Sequence, residues 1–303
     1  MSRAKSPSRT SPSVPLVLLL PLLLAAAFLY AAPAGAAPAG AASLDAGQRY
    51  VALGSSFAAG PGIPPAKTGS GAIACGRSES NYASQVARAR GLDLIDATCS
   101  GATTADILTR SQAGQPPQIE AVTADARLVT VTIGGNDVNY LGSLGAYSCQ
   151  TSGTSTSCGT VDQGAINRNR DRVSGLIKDV LDAVRARAPQ ARVLLVNYQT
   201  ILPAAGGGPG ATPCPGVPLT DAQLSFERGV ADRLAAATAT AANLAGATLI
   251  DIATASRGHD ACAGDPWIEK YTVAAGRASY HPKEAGMTAI AGLITAELAG
   301  TAL

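Results

Sequence analysis

Few side chains in this sequence can do acid–base or nucleophilic chemistry near neutral pH. Only two histidines occur, His259 and His281, and no pair of cysteines has the C-x-x-C spacing. That inventory is a poor fit to a structural zinc site. Hydroxyl and amide side chains gather instead in four short segments. These are Gly54-Ser55-Ser56-Phe57, Cys99-Ser100-Gly101-Ala102-Thr103-Thr104, Gly134-Gly135-Asn136-Asp137 and Ser279-Tyr280-His281-Pro282. A serine hydroxyl is a weak nucleophile until a base takes its proton. Histidine titrates near neutrality, so it can take that proton and return it to a leaving alcohol. Main-chain N–H groups and an asparagine amide can stabilise an oxygen that gains negative charge. Each segment alone is an ordinary turn. Their joint occurrence suits acyl transfer through a serine, with Ser55 and Ser56 both open as the nucleophile.

The elements that must carry these segments alternate along the chain. Arg49–Leu53, Leu92–Ala97, Leu128–Ile133, Val193–Tyr198 and Thr248–Ile252 are short apolar or β-branched runs that predict strands. Ser80–Arg90 predicts a helix stopped by Gly91. Asp171–Arg187 has apolar residues at helical spacing. Thr220-x-x-Gln223 is a capping-box pattern that opens a helix to about Leu244. Pro282 suits the first position of a helix reaching Ala299. Gly60–Gly71 and Pro203–Pro218 are Gly/Pro-rich and predict loops. Strands that are apolar throughout, alternating with helices, predict an α/β domain over 45–303 with a parallel sheet covered on both faces. In such sheets ligands bind beyond the carboxyl ends of the strands, where the first three segments fall.

Composition narrows the class further. The chain has 303 residues, 15% of them charged, and a net charge of +2. It has no basic stripe of the kind a nucleic-acid binder shows. Arg3, Lys5 and Arg9 precede an apolar run from Val14 to Ala32, and small residues follow at A-x-A spacing. That layout predicts a secretory signal peptide over 1–42, cut between 36 and 42. Its removal takes away three positive charges and no negative one, turning +2 into −1. Six cysteines then remain in an exported chain, which suggests disulfides, with 15 pairings open. Gly-x-Ser-x-Gly and Walker loops are both absent, which argues against an α/β-hydrolase elbow and a phosphate-binding loop.

Taken in this order, the four segments resemble the motif blocks of the SGNH hydrolases, also called GDSL esterases and lipases. The resemblance is greatest to their secreted bacterial branch with three disulfides, and it spans Tyr50 to Gly286. Gly54-Ser55-Ser56 stands for the first block, Gly101 for the second, Gly134-Gly135-Asn136-Asp137 for the third, and His281 with Pro282 and Gly286 for the last. The resemblance implies a three-layer α/β/α sandwich with about five parallel strands. It implies Ser56 as nucleophile and His281 as base. The oxyanion hole would comprise the N–H groups of Ser56 and Gly101 and the Asn136 amide. It also implies the disulfides Cys75–Cys99, Cys149–Cys158 and Cys214–Cys262.

Two positions depart from the family pattern. Ser55 replaces the usual Asp before the nucleophile, and Ala278 replaces the Asp three residues before the histidine. The imidazole would then be held by a main-chain carbonyl, that of Ala278, or by an Asp from elsewhere. His259, beside Cys262, is expected to decorate a disulfide loop. The implied protein is a secreted, extracellular, monomeric carboxylic ester hydrolase acting on lipid or small acyl esters. It needs no cofactor or metal, binds no nucleic acid and stays out of the membrane once its leader is removed. Acetylated polysaccharides are the alternative substrate, and a secreted binding protein without turnover is the alternative class.

Overall fold

The computed structural model describes residues 44–153, 155–204 and 213–300. The expected leader, 1–42, and part of the expected loop Pro203–Pro218 lie outside them. The strands are β1 (Arg49–Gly54), β2 (Asp93–Asp96), β3 (Ala126–Thr132), β4 (Arg192–Val196) and β5 (Thr248–Ile250). They form one parallel sheet in the order β2-β1-β3-β4-β5. The helices are α1 (Ser56–Ala59), α2 (Ser70–Ala74), α3 (Tyr82–Arg90), α4 (Thr104–Leu108), α5 (Tyr140–Ser152), α6 (Gln163–Arg187), α7 (Asp221–Ala245), α8 (Ile252–Ala255) and α9 (Glu284–Ala299).

Side chains alternate across the sheet and bury both faces. Tyr50, Ala52, Leu128, Leu194 and Val196 point to one side and pack with Tyr82 and Val86 of α3 and with Met287, Ile290 and Ile294 of α9. Val51, Leu53, Val129, Val131, Val193 and Leu195 point to the other. There they meet Val173, Ile177 and Val180 of α6 and Val230 and Leu234 of α7. The result is a three-layer α/β/α sandwich. Two buried phenols are satisfied within it: Tyr50 pairs with Thr130 and Tyr82 with Thr132, each at 2.9 Å.

The local signals explain most boundaries. Asn81 caps α3 by accepting from the Ser84 N–H at 2.8 Å, and Thr220 and Gln223 close the capping box of α7. Helix α6 begins at Gln163, eight residues before the periodic stretch, because Asp162 caps it through the Ala165 N–H at 2.9 Å. Pro282 does not open α9. The cap is Lys283, because 281–283 first pairs with 267–269: the Glu269 N–H donates to the His281 carbonyl at 2.9 Å, and the Lys283 N–H to the Trp267 carbonyl at 2.8 Å. Helix α2 begins inside the expected loop Gly60–Gly71.

Candidate active site

Strand β1 lies between β2 and β3, so the chain leaves its carboxyl end at the point where the strand order reverses. Gln118 holds that end in place. Its side chain accepts from the Gly54 N–H at 2.8 Å and donates to the Gly54 carbonyl at 3.1 Å. Ser55 then caps the short helix α1, and Ser56 is its first residue.

The Oγ of Ser56 lies 2.8 Å from Nε2 of His281, and Nδ1 of that ring lies 2.8 Å from the Ser279 carbonyl. A carbonyl can only accept, so Nδ1 carries the hydrogen and Nε2 presents its lone pair to the serine. The expected orienter, Ala278, is corrected by this geometry. The Ala278 carbonyl is taken by the main-chain N–H of His281 at 3.2 Å. Tyr280 sits at φ 60°, which folds the Ser279 carbonyl towards the ring. The Tyr280 hydroxyl is anchored to Ser148 of α5 at 2.7 Å. Among the described residues no carboxylate pairs with His281. Burial moves its pKa below the ordinary histidine value, and the bond to Ser279 offsets part of that shift.

Ser55 and Ser56 are not equivalent. Ser55 is 1% exposed and Ser56 7%. The Ser55 hydroxyl lies 3.2 Å from the Tyr198 hydroxyl, which also accepts the Gly135 N–H at 2.9 Å.

The three expected donors are tied to one another by main-chain and side-chain hydrogen bonds. The Cys99 N–H donates to the Gly54 carbonyl at 2.9 Å, joining the Gly101 turn to β1. Gly101 itself sits at φ 82°, a conformation that side chains disfavour. The Cys75–Cys99 disulfide and a 2.9 Å bond from the Ser100 N–H to the Cys75 carbonyl hold the same turn to the C-terminal end of α2. The Asn136 amide donates to the Ala102 carbonyl at 2.8 Å, leaving a second N–H on that amide. Asp137 caps α4 through the N–H and hydroxyl of Thr104, the latter at 2.6 Å. It therefore fastens the third block to the second.

The other cysteines pair as Cys149–Cys158 and Cys214–Cys262. His259 lies away from Ser56 and stacks on Trp267 with ring centroids 3.8 Å apart. Ser279, Tyr198 and Gln118 did not stand out in the sequence. Ser279 belongs to the fourth of the hydroxyl- and amide-rich segments but meets the ring through its main-chain carbonyl. Tyr198 ends the predicted strand Val193–Tyr198. Gln118 carries no local signal. A cavity of about 650 Å³ lies at the carboxyl ends of β4 and β5, lined in part by Tyr198 and Tyr140. Ser56 and His281 do not line it. No group of three metal-ligating side chains is present among the described residues.

Fold and site together define a serine hydrolase of α/β/α architecture, with the candidate nucleophile on the first strand's exit and the histidine near the C-terminus. The sequence matches the GDSL-like Lipase/Acylhydrolase family over residues 52–289, and the chain belongs to that family. It is a carboxylic ester hydrolase. It is 35% identical to Lipase 2 of Streptomyces coelicolor over 251 residues, covering 78% of this chain and 81% of that protein. It is similar in structure to phospholipase A1 from Streptomyces albidoflavus, with a TM-score of 0.69 at 28% identity, covering 83% of this chain and 99% of the other. It is also similar to the extracellular lipase from Streptomyces rimosus, with a TM-score of 0.66 at 28% identity and coverage of 82% and 99%.

Proposed function

We propose that the protein is a secreted lipase or esterase that cleaves acyl esters of lipids through an acyl-enzyme on Ser56. The observation that carries this reading is the 2.8 Å contact between Ser56 Oγ and His281 Nε2, with Nδ1 held by the Ser279 carbonyl. His281 takes the Ser56 proton as Oγ attacks the ester carbonyl carbon. Negative charge moves to the carbonyl oxygen, where the N–H groups of Ser56 and Gly101 and the free N–H of Asn136 receive it. His281 then gives the proton to the departing alkoxide, and the alcohol leaves. Water, deprotonated by the same imidazole, attacks the acyl-enzyme and frees Ser56 and the acid. The neutral Ser279 carbonyl orients the ring but stabilises the imidazolium less than a carboxylate would.

Secretion is supported by the leader-like residues 1–42, the three disulfides and the extracellular lipase among the relatives. Lipid esters are favoured because the relatives carry the names lipase and phospholipase A1. The intact Ser56–His281 contact favours turnover over a binding role. The experiment is hydrolysis of chromogenic esters of rising acyl length by the wild type, Ser56→Ala and Ser55→Ala. Ser56→Ala is expected to lose at least about a thousandfold in kcat while keeping its fold, and Ser55→Ala to keep most of its turnover. The reverse pattern overturns the assignment of the nucleophile.

A further inference from the structure

We infer that Tyr198 is a positioning residue for ester hydrolysis, its hydroxyl setting the spacing between the nucleophile turn and the Asn136 loop. The inference rests on the roles proposed for Ser56 and Asn136. Tyr198 stands two residues beyond β4 and is buried. Its Oη accepts the Gly135 N–H at 2.9 Å and lies 3.2 Å from the Ser55 Oγ. Ser55 immediately precedes Ser56, and Gly135 immediately precedes Asn136. One oxygen therefore bridges the two segments that bear the nucleophile and an oxyanion donor.

The ring contributes as well. It packs on Phe57 with centroids 4.8 Å apart, and Phe57 in turn lies 5.4 Å from the His281 ring. Tyr198 thus touches a neighbour of each proposed catalytic group and none of the reacting atoms. The approach to Gly135 is tight: a Cβ there would sit 2.7 Å from the ring. Gly135 in this block is therefore a packing requirement of Tyr198. Burial pushes the phenol up to about 12, so it stays protonated. Accepting from Gly135, it has its hydrogen free for Ser55. Where the family has a carboxylate beside the nucleophile, this chain has a serine that needs only a neutral partner, and Tyr198 supplies one.

The test is Tyr198→Phe, which removes the hydroxyl and keeps the ring. Tyr50→Phe is the control. It deletes another buried phenol, bonded at 2.9 Å to Thr130 in the core on the far face. For each variant kcat, KM for a soluble short-chain ester and the thermal midpoint are measured, with labelling of Ser56 by a phosphonate. Misplacement of a donor by a fraction of an ångström is expected to lower kcat about 10- to 100-fold in Tyr198→Phe with KM unchanged. Tyr50→Phe is expected to keep kcat. Ser55→Ala, which leaves the Gly135 bond intact, is expected to lose less than Tyr198→Phe. Unchanged kcat in a Tyr198→Phe protein that still labels at Ser56 overturns the inference while leaving the nucleophile assignment standing. An equal loss in Tyr50→Phe, or a loss in Ser55→Ala as large as in Tyr198→Phe, also overturns it. Should Tyr198→Phe fail to fold, Ser55→Ala against Gly135→Ala makes the same comparison, with the greater loss of kcat expected in Gly135→Ala.

Discussion

At the scale of single residues, the proposed base is the most informative group. His281 is half-buried, and its Nδ1 partner is an uncharged carbonyl. Burial disfavours the imidazolium, so the ring stays neutral, and competent as a base, to lower pH than a free histidine. The acid limb of kcat/KM is therefore expected to have its midpoint below about 6.5, which a pH–rate profile measures. A midpoint above that value would point to a carboxylate beside the ring. The proposed nucleophile, base and oxyanion donors stand out as residues in the sequence because serine, histidine, glycine and asparagine carry this chemistry in their side chains or in their lack of one. The orienter was not legible. Ser279 acts through its carbonyl, and only the turn at Tyr280 decides whether that carbonyl or the one at Ala278 faces the ring.

Secondary elements place these groups, and one of them carries an unpaired burden. Glu227 on α7 is fully buried, and desolvation pushes its carboxyl up to about 8, with the Ser143 hydroxyl and the Arg170 guanidinium offsetting only part of the shift. The folded state therefore holds a proton that the unfolded chain releases near pH 4.5. Stability from this group is fully present below the unfolded value and falls as pH rises through that value towards 8. A shift of this size corresponds to a loss of order 4 kcal/mol at pH 9 relative to pH 4. Glu227→Gln is expected to flatten that decline in denaturant melts across pH. Equal slopes for the two proteins would contradict it. The strands were legible from β-branched and apolar runs, and α3 and α7 from their caps. Helix α5 was not. It buries Tyr140, Ser143, Leu144, Tyr147 and Ser148 at helical spacing, but two of these are serines and Gly142 and Gly145 interrupt the run, so no apolar stripe appears. The start of α6 was hidden for a similar reason, since Ile166 is its lone buried residue before Val173.

On the scale of the whole molecule, a sheet buried on both faces gathers turns from distant parts of the chain, and covalent and polar ties fix their spacing. Cys75–Cys99 closes a loop with a sequence separation of 24, worth about 3 kcal/mol by chain entropy. The same bridge holds the Gly101 turn to the C-terminal end of α2. The Cys75→Ser/Cys99→Ser protein is expected to lose roughly that stability in a denaturant melt and about tenfold or more in kcat. Lost stability with unchanged kcat would show that the bridge does not position the oxyanion donors. The claim on which the rest depends is that Ser56 is the nucleophile and His281 its base, and covalent trapping tests it most directly. The protein is treated with an alkyl phosphonate ester, digested without reduction, and its peptides weighed. The adduct is expected on Ser56 alone, absent from Ser56→Ala and formed far more slowly in His281→Ala. An adduct on Ser55 or another residue, or no adduct on folded protein that turns over ester, would contradict it.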